Sequence, residues 1–397
     1  MNHIPAIVAI GYNRPKSLER LLNSVENGIF PEGVKVPLVI SIDKSDSVET
    51  VKVAEEFNWT HGDKVVMARS ERMGLKAHVL SCGDLTKEYG SIIVLEDDLF
   101  VSPSFYQYAQ KALDFTDEDE RIGGVSLYNH LFDVHARMSF AAIDDGYDNW
   151  YFQFASSWGQ AYTKNQWSSF KKWYEANGDK PLGGSDVPAN VSGWSEKSWL
   201  KFYITYLIKT DKYFLYPRVS LTTNFGDVGS HAVKADADLQ VPLMGAVKSL
   251  YCSFSKLDQS GAVYDAFFEN VKLKSLENLK LGNEAAESAK ETADIIVDLY
   301  GTKDVNGCVD SSAKYILSCR ELPYKIVKSY GRQMRPIDAN IIYEVEGDDF
   351  RLYDATTSDK IKPMNNEALT YLHEYRGISA GRMISILKYR VGAKLKK

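Results

Sequence analysis

Ser91-Ile92-Ile93-Val94-Leu95-Glu96-Asp97-Asp98-Leu99 decides how the rest of the chain is read. Four consecutive apolar residues, Ile92 to Leu95, mark a strand buried on both faces. Three carboxylates follow at its carboxyl end. Removing carboxylates from water costs several kcal/mol each unless something compensates them. A hard divalent cation such as Mg²⁺ or Mn²⁺ compensates them with oxygen ligation. In open α/β sheets, ligands bind just beyond the carboxyl ends of the strands. The stretch therefore predicts a metal at Asp97 and Asp98, with a phosphate-bearing ligand beside it. An acidic surface turn is the plain alternative.

Upstream, Ala6-Ile7-Val8-Ala9-Ile10 predicts a first strand and Gly11-Tyr12-Asn13-Arg14-Pro15 its turn. Pro15 suits a first helical turn. Leu18, Leu21, Leu22 and Val25 recur at helical spacing up to Gly28. Val36–Ile42 predicts a second strand ending at Asp43, residues 45–57 a helix, 64–67 a short strand, and 74–88 a helix carrying His78. Ser102-Pro103 opens the helix after the acidic triplet. Strands alternate with helices through residue 115, the pattern of a doubly wound, mostly parallel sheet. No GxGxxG and no GxxxxGK[ST] follows a strand, which argues against a Rossmann dinucleotide site and a P-loop.

Downstream, Gly124–Tyr128 predicts a strand, residues 198–210 a helix and Tyr213–Tyr216 another strand. Between them lies an aromatic-rich region from Trp150 to Tyr174, mostly core and helix face. Ser156-Ser157-Trp158-Gly159 differs, because a tryptophan between small residues in a loop suits the apolar face of a sugar ring. Trp194 and Trp199 bracket a second cluster. Asn224–His231 is a glycine-bearing loop able to close over a ligand. The expected division is a catalytic domain over 1–258, with a nucleotide-binding half (1–115) and an acceptor and donor-sugar half (116–258). An accessory module with a basic tail follows over 259–397. That module reads as mostly helical, with helices near 279–299 and 310–330 and a β-hairpin over 341–353.

The 397 residues are 44% hydrophobic and 12% aromatic, enough for a sizeable core. A net charge of −6 does not favour nucleic acid. Cys82, Cys252, Cys308 and Cys319 show no CxxC or zinc spacing and read as reduced thiols of a cytosolic protein. Met1–Pro5 leads straight into a strand, so no signal peptide is expected, and no run of about 18 apolar residues predicts a membrane span. From Arg376 to Lys397 there are seven Lys or Arg and no acid. Ile384, Leu387, Val391 and Leu395 share one helical stripe there, a combination suited to an anionic membrane surface.

Arg14 after strand one, Asp43 after strand two, His78, Glu96-Asp97-Asp98, Trp158-Gly159 and a late Gly-Ser-His loop, in that order, resemble GT-A type glycosyltransferases. The resemblance is to the animal N-acetylglucosaminyltransferase that begins complex N-glycans and to bacterial relatives making surface polysaccharide such as capsule or O-antigen. It covers roughly residues 4 to 240. It implies a metal-dependent, inverting transfer from a nucleotide-sugar, a UDP-sugar of the UDP-GlcNAc kind, to a glycan or lipid-linked glycan. It further implies Mn²⁺ or Mg²⁺ on Asp98, with Asp97 beside it at the ribose or a metal-bound water. Glu96 would meet the donor sugar, Asp43 the base, and Arg14, His78, Ser230 and His231 the nucleotide. Trp158, Gly159 and Trp194 would line the sugars. In the family the general base is an aspartate just after a tryptophan. Here Leu200 and Lys201 follow Trp199, so Glu196 takes that role, with Asp211 and Asp227 in reserve. A peripheral position on the inner face of the membrane would follow. Two rivals remain: a sugar nucleotidyltransferase, for which the Gly11–Pro15 turn is too short, and a glycan-binding protein that has lost its base.

Overall fold

The computed structural model describes residues 3–227, 239–275, 279, 295–305, 313–357 and 379–394. They form two compact units. One comprises Met1–Phe132 with Phe140–Lys272, the other Asp133–Ser139 with Leu273–Lys397.

In the first unit the apolar runs become strands: β1 (Ala6–Gly11), β2 (Leu38–Ile42), β3 (Lys64–Ala68) and β4 (Ser91–Glu96). All four are parallel. β6 (Ile122–Ser126) and β11 (Tyr213–Pro217) continue in that direction, while β9 (Asn149–Phe152) and β10 (Gln160–Thr163) run against it. With β13 (Val263–Tyr264) the sheet has nine strands in the order β13-β9-β11-β6-β10-β4-β1-β2-β3. The doubly wound, mostly parallel sheet expected from the alternation is therefore present. β13 belongs to it, so this unit runs on past residue 258. Sequence reading missed β10, which lies between β4 and β6 and is buried throughout.

Helices cover both faces. Ile7, Ala9, Leu38, Ile40, Ile93 and Leu95, alternate residues of three strands, pack in one cluster with α1 (Pro15–Glu26) and α5 (Phe105–Thr116). Opposite them lie α3 (Leu75–Gly83), α6 (Lys164–Asn177) and α8 (Trp199–Lys209), the last two joined through aromatic contacts such as Phe170 on Tyr203 at 4.1 Å. The strand directions place the carboxyl ends of β1, β2, β4, β6 and β11 on one edge. A two-stranded ribbon of β5 (Leu99–Val101) and β12 (Thr222–Asn224) lies at that edge, the backbone N–H of Phe225 donating to the Asp98 carbonyl at 2.9 Å.

The second unit corrects the helical expectation. Its described residues contain a four-stranded sheet, in which β14 (Ile295–Asp298) and β15 (Tyr315–Ser318) are parallel. β17 (Phe350–Asp354) pairs antiparallel with β15 and with β16 (Lys325–Tyr330). The helix expected near 310–330 is two strands, and the first arm of the expected hairpin is instead a helical turn, α9 (Ala339–Ile342). The cause is two-sided burial. Leu317 and Ile316, neighbours on β15, pack into separate apolar clusters, so the strand has no polar alternation to betray it. The helix α10 (Ala380–Lys394) falls within the basic stretch, and Ile384, Leu387 and Val391 are each more than half exposed on it, while Arg376, Leu395, Lys396 and Lys397 lie outside the described residues. Among the described residues no helix is long and apolar enough to cross a membrane.

Candidate active site

Register brings the acidic triplet and its neighbours together. Ile10 pairs with Glu96, which sets the Gly11–Arg14 turn beside the triplet. Pro15 fixes the first turn of α1, and Arg14 at its N-cap makes no side-chain capping bond. Its guanidinium turns to the carboxylates instead. Nη2 and Nε donate to Asp97, the latter at 3.3 Å, and Nη2 lies 3.4 Å from Asp98. Removal from water, outweighing Arg14, holds Asp97 up to about 6. Burial, then the charges of Asp98 and Asp97, push Glu96 up to about 8. Three carboxylates facing one cation form an under-compensated acidic site.

Phe225 and Asp227, just after β12, close one side. Ser17 donates to Asp227 at 2.8 Å, Arg20 forms an ion pair with it, and the Arg20 guanidinium stacks 3.7 Å from the Phe225 ring centre. These bonds hold the Asp227 carboxyl below its ordinary range although partial burial opposes them. Ser17 and Arg20 carried no sequence signal beyond their places on α1. Ser230 and His231 lie outside the described residues.

On the opposite side, β10 starts at Gln160, paired with Val94, so the Trp158-Gly159 turn lies at the carboxyl end of β4. Gly159 has φ +93°, and a Cβ there would meet Thr222 at 2.7 Å. The backbone thus passes close to β12, leaving the half-buried Trp158 ring 4.7 Å from Tyr128.

Asp43 ends β2 but both its oxygens are engaged. They accept the backbone N–H groups of Lys44, Met73 and Gly74 at 2.8–2.9 Å and so pin the loop leading into α3. That loop sets Arg72 5.2 Å from the Tyr12 ring centre. Tyr12 and Arg72 were given no role by the sequence, although Tyr12 lies in the same turn as Arg14. Both stand at the carboxyl edge of the sheet, on the side of β1 and β2.

His78 is a correction. It is 2% exposed, under β2, with Nε2 2.8 Å from Ser41 Oγ, and is sealed from any ligand at the edge. Burial, against the pull of Asp43, lowers its pKa to about 4. The unfolded chain, with an ordinary histidine near 6.5, then binds the extra proton between pH 6.5 and 4. Stability supplied by neutral His78 is complete above pH 6.5 and falls by about 3 kcal/mol toward pH 4. Melting curves of wild type and His78→Gln across that window should converge as pH falls. A constant gap would refute this reading.

Glu196 was expected among tryptophans. Its side chain is instead 69% exposed, paired with the buried ammonium of Lys201, which also donates to the Trp194 carbonyl at 3.1 Å. The expected enclosure by indoles is absent because both residues precede α8, on an exposed loop. α8 runs back along the sheet before β11, so this loop still lies at the carboxyl edge. Trp194 is half-buried, its ring edge-on to Phe154 at 6.4 Å. Asp211 is excluded by position. It precedes the amino end of β11, on the opposite edge, and accepts from Gln153 and Tyr213.

Among the described residues no three His, Cys, Asp or Glu side chains converge as a preformed metal cage. The donor set fits a hard ion that keeps waters and takes further oxygens from a substrate phosphate, which needs only one or two carboxylates. Asp98, partly open to solvent beside the buried Asp97, offers that.

No family model matches the chain. A curated relative, the alpha-1,3-mannosyl-glycoprotein 2-beta-N-acetylglucosaminyltransferase of Arabidopsis thaliana, is 25% identical over 240 residues, 57% of this chain and 48% of the relative. The chain thus spans about half the length of that relative, which is a transferase of the kind the sequence resembles. Solved structures that align include GalNAc-T7 with UDP, GalNAc and Mn²⁺ (14% identity, 55% of this chain and 43% of that one, TM-score 0.38). PcManGT of Pyrobaculum calidifontis with GDP-Man and Mn²⁺ aligns at 15% identity, over 55% and 58% of the two chains, with a TM-score of 0.33.

Proposed function

We propose that the chain is a metal-dependent glycosyltransferase that moves a sugar from a nucleoside-diphosphate sugar, of the UDP-GlcNAc kind, to a hydroxyl of a surface glycan or lipid-linked glycan. The observation that carries this reading is the run of three carboxylates at the carboxyl end of β4, faced by Arg14 from the neighbouring turn. A diphosphate leaving group calls for that set of charges, and the similarity to an N-acetylglucosaminyltransferase supports the same chemistry.

Asp98 and Asp97 would hold Mn²⁺ or Mg²⁺. When bound, the ion supplies positive charge against the leaving diphosphate. Tyr12 and Arg72 frame the base, and Asp43 fixes the loop that presents Arg72. Arg14 carries a planar donor fork matched to phosphate oxygens. Glu96 accepts hydrogen bonds from donor-sugar hydroxyls, and Trp158 offers an apolar ring face at the same edge. The acceptor oxygen attacks the anomeric carbon, the bond from that carbon to the distal phosphate oxygen breaks, and the acceptor proton passes to a carboxylate. Glu196, exposed at the carboxyl edge and held by Lys201, is the base in this reading, and inversion follows from a single displacement.

An acceptor carried on lipid gives α10 a purpose, since exposed Ile384, Leu387 and Val391 on a basic segment suit an anionic bilayer. The test is calorimetric titration with UDP-, GDP-, CMP- and dTDP-sugars, with and without Mn²⁺, beside sedimentation with anionic vesicles. Binding of one nucleotide class that needs the metal is expected. Metal-independent binding of all classes, or of none, would overturn the transferase.

A further inference from the structure

We infer that Arg14 is the stand-in cation of the acidic triplet, and that it must exchange Asp97 and Asp98 for the donor's diphosphate before the metal can bind there. The inference rests on the proposed reading of this edge as a site for a divalent ion and a nucleoside diphosphate.

The geometry makes the two cations rivals. Arg14 engages both oxygens of Asp97, through Nη2 and Nε, and places Nη2 3.4 Å from Asp98 Oδ2. Asp97 has a side chain only 6% exposed, so those oxygens have little water to fall back on. Among the described residues no other Lys, Arg or His lies within ion-pair distance of Asp97 or Asp98. A divalent ion drawing on the same oxygens would meet a full positive charge a few ångströms away, in surroundings where charges are weakly screened. The guanidinium therefore blocks the metal until it has somewhere better to go.

The diphosphate is that alternative. A guanidinium fork fits a phosphate edge as well as a carboxylate. Pro15 and the start of α1 fix the backbone at Arg14, so only the side chain needs to turn. The exchange has a thermodynamic consequence. Nucleotide frees the carboxylates for the metal, and metal frees Arg14 for the nucleotide, so each must tighten the other by the same factor. A metal-loaded site without donor is thereby disfavoured.

The test is Mn²⁺ binding followed by the electron paramagnetic resonance of the free ion, with no turnover involved. Wild type, Arg14→Gln, Arg14→Lys and Asp98→Ala are titrated with Mn²⁺ alone, then with UDP or GDP present. Arg14→Gln should bind Mn²⁺ alone at least about tenfold more tightly than wild type, while the tightening caused by nucleotide shrinks toward none. Arg14→Lys keeps the charge but lacks the planar fork that engages both oxygens of Asp97, so it should fall between them, and it serves if the glutamine variant fails to fold. If both variants bind Mn²⁺ no tighter than wild type while Asp98→Ala loses it, Arg14 is no rival of the metal and the metal site stands. If no protein binds Mn²⁺ under any condition, the reading of the edge itself fails.

Discussion

Asp98→Ala is expected to lose metal-dependent nucleotide binding and to lower turnover by about 10³-fold or more while leaving the fold intact. The size follows from the charge placed beside a leaving diphosphate, which is worth several kcal/mol, each 1.36 kcal/mol being tenfold in rate. The selectivity follows from position. Asp98 stands just past β4, its side chain 22% exposed, and its ion-pair contact is the long one to Arg14. Its backbone carbonyl holds the Phe225 N–H whatever the side chain. Asp97, buried and bonded twice by Arg14, would be a less clean variant, because its loss leaves a partly buried guanidinium with only the longer contact to Asp98. Titration of Mn²⁺ into wild type and Asp98→Ala at fixed nucleotide, with melting curves as the fold control, gives the result. A variant that keeps metal-dependent binding would move the metal off Asp98.

The parts that could be read from sequence are those where one pattern had one cause. β1, β2 and β4 are apolar runs buried on both faces, and each ends in the residues that mark the edge: Arg14's turn, Asp43 and the triplet. β10 escaped notice because Gln160-Ala161-Tyr162-Thr163 is short and lies in an aromatic-rich region, where core and loop look alike. Its antiparallel insertion is nevertheless what brings the Trp158-Gly159 turn to the carboxyl end of β4. Asp43 and His78 show the opposite failure. Residue type and place on the chain were right for a ligand contact, but one is engaged by three backbone N–H groups and the other is sealed beneath β2. Which way a polar side chain turns depends on unpaired backbone donors nearby, and these become visible only once the loop at Met73-Gly74 has been folded. The expected enclosure of Glu196 by Trp194 and Trp199 failed for a related reason, since neighbours in sequence on an exposed loop need not enclose one another.

Glu96→Gln should abolish transfer yet raise the melting temperature of the metal-free protein. Glu96 lies next to two further carboxylates, and removal from water together with their charges holds it up to about 8, against 4.5 for an ordinary glutamate. A carboxyl whose folded pKa exceeds its unfolded one binds more protons folded, so stability falls as pH rises from 4.5 to 8. At pH 7 that cost amounts to about 3 kcal/mol, and the amide removes most of it. For domains of this size the gain corresponds to a rise of roughly 5 °C or more. The sign can be checked twice. The gap between variant and wild type should close as pH falls below 4.5, where glutamate becomes neutral in both states, and open toward pH 8. Saturating Mn²⁺ with nucleotide should also narrow it, because bound positive charge offsets what the amide offsets in the free protein. An unchanged melting temperature across that range would mean that the triplet is fully compensated by Arg14 and water, and that the strain attributed to it does not exist. A rise accompanied by lost turnover would place the instability and the chemistry in the same three carboxylates, the trade expected where a fold holds like charges together for a cation it does not itself provide.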